Sequence, residues 1–261
     1  MIPAQRRQDI LKVITSQGSG AISELSERYG VSEMTIRRDL QALEKEGHLM
    51  YTRGGAMITP NDKLRAEPRY EAKKHQYTAQ KAEIARYAAQ LVTDNDIIIL
   101  ESGTTVTAMV QHLVEKENLT IVTNGLYTIN ELKLLVPHST LICTGGILRE
   151  VSFTFVGPVA EGFFHDLFAR KLFLSGIGFT LDTGLTDPQM IDTQVKKAMI
   201  ASADQVIVLV DSSKFGVKSF TTVIGAYDID ILITDDGAPT QFVEDLRDHG
   251  VDVRVVSAGN E

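Results

Sequence analysis

The feature that most narrows what this chain can become is a pair of short helical patterns, three residues apart, near its N-terminus. The first runs from Ile22 to Tyr29 with Leu25 inward, Gly30 follows, and the second runs from Glu33 to about Lys45. Glycine enters the left-handed backbone region without penalty, so Gly30 suits a sharp helix end. Ser32 stands where its hydroxyl can cap the free N–H groups of the second helix. Helices so close in sequence have to cross steeply, as in a helix-turn-helix. On the second helix Ile36, Leu40 and Leu43 share one face, which leaves Met34, Thr35, Arg37, Arg38 and Gln41 pointing outward. A preceding helix, from about Ala4 to Gln17, adds Ile10, Leu11 and Ile14 to the same small core and stops at Gly18, Ser19 and Gly20. After Gly47, the stretch Leu49 to Ala56 reads as two short strands around a basic tip at Arg53, a wing.

Charge decides what such a module could meet. The chain carries a net charge of −8, which at first opposes a polyanionic partner. Residues 1–74, however, hold 13 Lys+Arg against 10 Asp+Glu, and the acidity lies beyond them. Double-stranded DNA is therefore the partner expected for the N-terminal part, with Thr35, Arg37 and Arg38 near base edges or phosphates in the major groove. The rival reading is a three-helix scaffold whose arginines only solvate a surface, but a bare scaffold has no need of a wing. No apolar run approaches the roughly 20 residues that span a bilayer. The single cysteine, Cys143, and the lack of a charged-then-apolar leader fit a reducing cytoplasm.

Beyond residue 57 the composition turns polar, and Pro60 and Pro68 mark residues 58–78 as an expected linker. From 79 to 257 helical and β-like runs alternate, with strands expected at Asp96 to Glu101, Leu119 to Thr123, Thr140 to Thr144, Lys171 to Leu174, Val206 to Asp211, Ile229 to Thr234 and Val251 to Val256. Such an order implies an α/β domain with a mostly parallel sheet covered on both faces. Ser102, Gly103, Thr104 and Thr105 follow a strand and open a helix, an arrangement that aims N–H groups and hydroxyls at a phosphate or carboxylate. An ordinary capped turn would look the same. Thr123, Asn124 and Gly125 end the next strand and Gly145 with Gly146 another, so small and polar groups gather where open α/β sheets bind ligands. Lys196, beside Lys197 and near Asp192, could pair with a ligand anion or merely face solvent. Asp211-Ser212-Ser213-Lys214 suits a ligand edge or an interface equally.

Several other chemistries lose their support. Gly176-x-Gly178 has Leu181 where a dinucleotide fingerprint needs a third glycine, and Ser213-Lys214 lacks the preceding glycines of a P-loop. The six histidines never take metal-ligand spacing, so neither a metal nor a cofactor is expected. The segment Ser175 to Thr180 holds no carboxylate, so no catalytic base stands out and no enzyme is expected.

Together these residues carry a resemblance. Arg6-Arg7-Gln8-x-Ile10-Leu11, Val31-Ser32-x-Met34-Thr35-Ile36-Arg37-Arg38-Asp39-Leu40, Leu43-x-x-x-Gly47 and Arg53-Gly54-Gly55-Ala56 resemble the DeoR-type regulators of bacterial sugar metabolism. The resemblance implies a winged helix-turn-helix (1–57), a linker, and a sensor domain of the ribose-phosphate isomerase and coenzyme A transferase type. It also implies a repressor of a carbohydrate-metabolism operon, homodimeric or homotetrameric, released from its operator by a phosphorylated sugar or sugar acid. Gly103, Thr104 and Thr105 match the family's anion loop, Thr123 and Asn124 its second turn, and Lys196 its late basic residue. A sugar-phosphate isomerase tethered to DNA, or an activator with the same sensor, is the alternative.

Overall fold

The computed structural model describes residues 2–17, 19–45, 49–52, 54–57, 67–136 and 138–258. The chain divides into two compact units, Met1–Ala66 and Glu67–Glu261. In the first, α1 (Pro3–Gln17), β1 (Ser19–Ala21), α2 (Ile22–Tyr29) and α3 (Glu33–Lys45) precede β2 (Met50–Thr52) and β3 (Gly55–Met57). Ile10, Ile14, Ile22, Leu25, Ile36, Leu40, Leu43 and Leu49 form one buried cluster, so the helical spacing of the apolar residues does set the inward faces. Gly30 ends α2 at φ 62° and ψ 36°. The glycine-rich stop after α1 is more than a break, because β1 pairs antiparallel with β3 and turns the wing into a three-stranded sheet.

The second unit starts at Glu67, well before the expected linker end at 78. Residues 67–78 are packed rather than extended: α4 (Tyr70–Lys74) buries Tyr70, whose ring stacks on Tyr127 at 4.3 Å, and its N–H donates to the Val151 carbonyl. The expected linker residues 58–66 lie outside the described residues.

Next come α5 (Thr78–Ala89), β4 (Ile97–Leu100), α6 (Thr104–Thr107), β5 (Thr120–Thr123), α7 (Leu126–Leu132), β6 (Thr140–Cys143), β7 (Ile147–Leu148) and β8 (Phe155–Val156). They are followed by α8 (Pro158–Gly162), β9 (Ala169–Leu174), β10 (Gly178–Thr180), β11 (Gly184–Asp187), α9 (Met190–Ala201) and β12 (Ala203–Leu209). The unit closes with β13 (Thr221–Ile224), β14 (Ile231–Asp235), α10 (Thr240–Asp248) and β15 (Asp252–Val256). Seven strands form the main sheet in the order β15-β14-β12-β9-β4-β5-β6, every neighbouring pair parallel.

Strand side chains alternate between faces, and the core divides accordingly. Ile99, Leu172, Leu174, Val206 and Val208 enter one apolar cluster, while Ile98, Leu100, Phe173, Ile207 and Leu209 enter the other. Both faces are thus covered, and polar chemistry is left to the ends of the strands. The three central strands β12, β9 and β4 have their carboxyl ends side by side, at Val210, Ser175 and Glu101. A second, antiparallel sheet of order β10-β11-β13 follows, none of whose strands the sequence patterning anticipates. Among the described residues no helix is long and apolar enough to cross a membrane.

Candidate functional site

On α3 the Ser32 hydroxyl accepts from the Thr35 N–H at 3.3 Å and lies 3.0 Å from the Thr35 hydroxyl, so the expected cap is present. Met34, Arg38 and Gln41 are exposed, Thr35 and Arg37 half-buried, and Arg37 reaches back to Glu33 at 3.2 Å. These residues share one outward face of the helix. Arg53 lies outside the described residues. Sequence reading missed what fixes the face from behind: Arg6 on α1 donates to Asp39 at 2.6 Å, both side chains 8% exposed, which bolts α3 to α1.

The second unit holds a polar pocket at the carboxyl ends of β4, β9 and β12. It is lined by Glu101 to Thr105 after β4, Ser175 to Ile177 after β9, and Leu209 to Asp211 with Lys214 after β12, with Lys196 of α9 beneath. Ser102, Gly103, Thr104, Thr105 and Lys196 come together there as the sequence suggested. Thr104 and Thr105 begin α6, so their N–H groups have no carbonyl a turn earlier to bond. Thr123, Asn124, Gly125, Gly145 and Gly146 do not line the pocket. The Thr123 hydroxyl accepts from the Gly125 N–H at 3.1 Å, Asn124 donates to the Phe155 carbonyl at 3.3 Å while its buried Oδ1 has no hydrogen-bond partner among the described residues, and Gly146 takes φ 111°. A Cβ on Gly146 would stand 2.7 Å from the Val156 carbonyl oxygen, so that glycine serves close packing.

Lys196 is held by protein partners in the pocket. Its ammonium lies 2.6 Å from the Asp187 carboxylate and 3.3 Å from that of Glu101, and it donates to the Ser175 carbonyl at 2.7 Å. Three donors meet three protein partners, so Lys196 organises the floor. Burial works to lower the Lys196 ammonium, but Asp187 and Glu101 outweigh it and raise it above the ordinary lysine value. Burial likewise works to raise Glu101, yet Lys196 and bonds from the Gly103 N–H (2.8 Å), Ser102 (2.9 Å) and Ser175 (3.0 Å) hold it below the carboxylate range. Gly103 fits this arrangement, because a Cβ there would stand 1.8 Å from the Ser175 hydroxyl oxygen.

More carboxylates enter the pocket than the segment Ser175 to Thr180 suggested, since Glu101, Asp187, Asp192 and Asp211 arrive from other elements. Asp211 accepts from the Ser213 N–H through Oδ1, and its buried Oδ2 has no hydrogen-bond partner. Asp211 and Lys214 of that segment line the pocket. Further residues in and around the site went unread. Lys73 and Lys81 line it from α4 and α5, and Glu67 forms part of the wall. Arg149, in the turn between β7 and β8, binds Glu67 through both nitrogens at 3.0 and 2.5 Å and also donates to Asp192. Glu67 and Lys73 fell in the stretch that read as linker. Among the described residues no group of acidic, histidine or cysteine side chains could hold a metal ion.

Comparison with known proteins agrees with this architecture. The DeoR C-terminal sensor domain matches residues 76–236 and the DeoR-like helix-turn-helix domain residues 6–61. The chain belongs to the DeoR family. Along its length it is 37% identical over 256 residues to the uncharacterized HTH-type transcriptional regulator YulB of Bacillus subtilis, covering 98% of each chain. It is 32% identical over 255 residues to the HTH-type transcriptional regulator GolR of Listeria innocua (98% of this chain, 99% of that one). Transcriptional repressor AccR of Agrobacterium fabrum is 32% identical over 239 residues, 90% of each. Among solved structures, ribose 5-phosphate isomerase from Methanocaldococcus jannaschii overlaps 52% of this chain and 53% of its own at TM-score 0.37 and 19% identity, a partial overlap that says nothing of activity. As a DeoR-family member, the protein is a DNA-binding transcription regulator with a sensor domain.

Proposed function

We propose that this regulator represses a carbohydrate-metabolism operon and leaves its operator when a phosphorylated sugar or sugar acid enters the sensor pocket. One observation carries the reading: the pocket gathers Lys73, Lys81, Lys196 and Lys214 with the Thr104-Thr105 helix start at the carboxyl ends of three central parallel strands. The name of AccR as a repressor supports the direction of control. DNA is met through Ser32, Met34, Thr35, Arg37, Arg38, Gln41 and the wing residue Arg53. A homodimer or homotetramer sets two α3 helices about 34 Å apart on the operator. The effector acts by binding the operator-released conformation more tightly than the bound one, which is the sole way a ligand moves such an equilibrium.

In this reading the pocket serves ligand binding. Glu101 is saturated by donors and held ionised below the usual range, and Lys196 is fully engaged, so neither is poised to move a proton. Cytoplasmic action follows from the partner. Fluorescence polarisation of the full chain against operator-containing genomic fragments, titrated with phosphorylated sugars and sugar acids, tests the whole reading. Selective binding with release by one of these compounds is expected; binding no tighter than to random DNA at moderate salt contradicts it.

A further inference from the structure

Arg149 holds two carboxylates on one guanidinium, and the two are not equivalent. Asp192 belongs to α9, and its other oxygen accepts from the Thr154 hydroxyl at 2.7 Å. Glu67 receives both terminal nitrogens side by side, at 3.0 and 2.5 Å, yet among the described residues it makes no other hydrogen bond or ion pair. Arg149 itself is fixed. Its N–H donates to the Thr154 carbonyl and its carbonyl accepts from the Phe153 N–H, both at 2.9 Å, while Nη1 also donates to the Ser152 hydroxyl at 3.1 Å. Two parallel N–H···O bonds to one planar anion is also the geometry by which arginine reads the carboxylate or phosphate of a ligand. The guanidinium is thus an anchored seat, and Glu67 is its replaceable occupant. Asp192 alone balances the charge of Arg149, so an exchange at the Glu67 side leaves no buried cation unpaired.

The placement of Glu67 matters as much as its charge. Glu67 lines the pocket with Ser152, Thr154 and Asp192, whereas Arg149 does not, so an anion in the pocket meets Glu67 first and gains the guanidinium only by displacing it. Pro68 and Arg69 beside it are exposed, which gives a displaced Glu67 a short way to water. Glu67 is also the first residue of the sensor unit. Its segment is tied to the turn between β7 and β8 by three contacts: Glu67 to Arg149, Arg69 to Glu150 at 3.5 Å, and the Tyr70 N–H to the Val151 carbonyl at 2.9 Å. Arg69 and Glu150 are exposed and hold little, which leaves Glu67 as the main charged tie. We propose that Arg149 is a binding residue for the effector's oxyanion, that Glu67 fills its fork as an internal stand-in, and that the effector detaches the first residues of the sensor unit by taking that place. This rests on the effector reading above and deepens it by naming a seat for the anion and the contact that binding breaks. The ligand it selects is a small molecule ending in a phosphate or carboxylate, two of whose oxygens fill the fork.

Thermal melting and hydrogen exchange of the full chain with inorganic phosphate, glucose 6-phosphate and gluconate test it, on wild type, Glu67→Gln and Arg149→Lys. A specific binder raises the melting temperature by mass action, so wild type shifts with at least one of the three, and which one tells phosphate from carboxylate. A bound ligand ordinarily slows exchange around itself; here the same probe speeds exchange of the amides of residues 69–74. Glu67→Gln keeps the shape and removes the competing charge, so those amides exchange fast without any probe, and the half-maximal concentration of the probe falls about tenfold. Arg149→Lys replaces a fork by a point charge and raises that concentration about tenfold. A probe that binds wild type but slows exchange at 69–74, or a Glu67→Gln chain that binds it no more tightly, overturns the displacement and leaves the effector reading intact. A wild type that melts unchanged with all three probes overturns both.

Discussion

Arg38 is exposed on the outer face of α3, whereas Arg37 spends one nitrogen on Glu33, 3.2 Å away and itself half exposed. An exposed pair of this kind is worth at most about 1 kcal/mol, so DNA can take Arg37 from it at little cost. Replacing both arginines by Ala should weaken operator binding and reduce the slope of log affinity against log salt by about 0.9 for each phosphate that is no longer neutralised. An unchanged slope would mean that neither guanidinium meets a phosphate. Behind the same helix the balance is reversed. Arg6 and Asp39 are both buried, and removing one leaves the other uncompensated, which typically costs about 3 kcal/mol or more, roughly a third of a domain's stability. Asp39→Ala should therefore unfold the N-terminal unit early, seen as faster hydrogen exchange of the α3 amides in the full chain. Arg6→Met with Asp39→Leu should recover much of the stability, because no lone charge remains.

At the scale of elements, the α/β alternation and the helix-turn-helix were legible because each rests on a period: Ile36, Leu40 and Leu43 at helical spacing, and Ile98 to Leu100 as a run buried on both faces. What escaped lacks a period. β10, β11 and β13 are three or four residues each, too short for alternation to register, and they pair across long stretches of chain, as Leu185 does opposite Ile224. β1 hides in a glycine-rich stop whose pairing is visible only in three dimensions, where a Cβ on Gly55 would stand 2.2 Å from the Gly20 carbonyl oxygen. Gly55→Ala should separate β3 from β1 and lower operator affinity, with the melting of the sensor unit unchanged. The pocket was half legible for the same reason. Its Ser102-to-Thr105 loop is contiguous, but Lys73, Arg149 and Asp187 meet it from distant elements. The turn between β7 and β8 shows what sequence could not: Arg149 joins Glu67, the first residue of the sensor unit, to Asp192 on the helix that carries Lys196. Arg149→Met strands two buried carboxylates side by side. It should raise hydrogen exchange across residues 67–74 and uncouple effector binding from operator release, while leaving exchange in β9 and β12 as it was.

The whole molecule couples two charge regimes, an N-terminal segment with more bases than acids and an acidic remainder that still has to accept an anion. The reconciliation lies in where protons sit. Lys81, buried against the pocket, is brought down by that burial to about 8, with Asp211 opposing the shift and Lys214 and Lys73 adding to it. Below that value the ammonium is present and favours an anionic effector; above it the charge is lost. The linkage sign follows from the protons bound. Between about 8 and the ordinary lysine value of 10.5 the unfolded chain holds a proton that the native chain has released, so this group makes folding more favourable as pH rises through that window. Effector binding runs the opposite way, since it prefers the charged form. A phosphate ester, whose second pKa is near 6, is already a dianion throughout this range and contributes no step of its own. The effector concentration that half-releases the operator should accordingly stay level up to about pH 8 and then climb, by up to about tenfold per pH unit. Operator affinity without effector should remain flat over the same span, because Lys81 belongs to the sensor unit and not to the DNA-reading face. Polarisation titrations between pH 7 and 9.5 would separate the two curves, and Lys81→Met should flatten the first. If both curves rose together, the titrating group would belong to the DNA-reading face and not to the pocket.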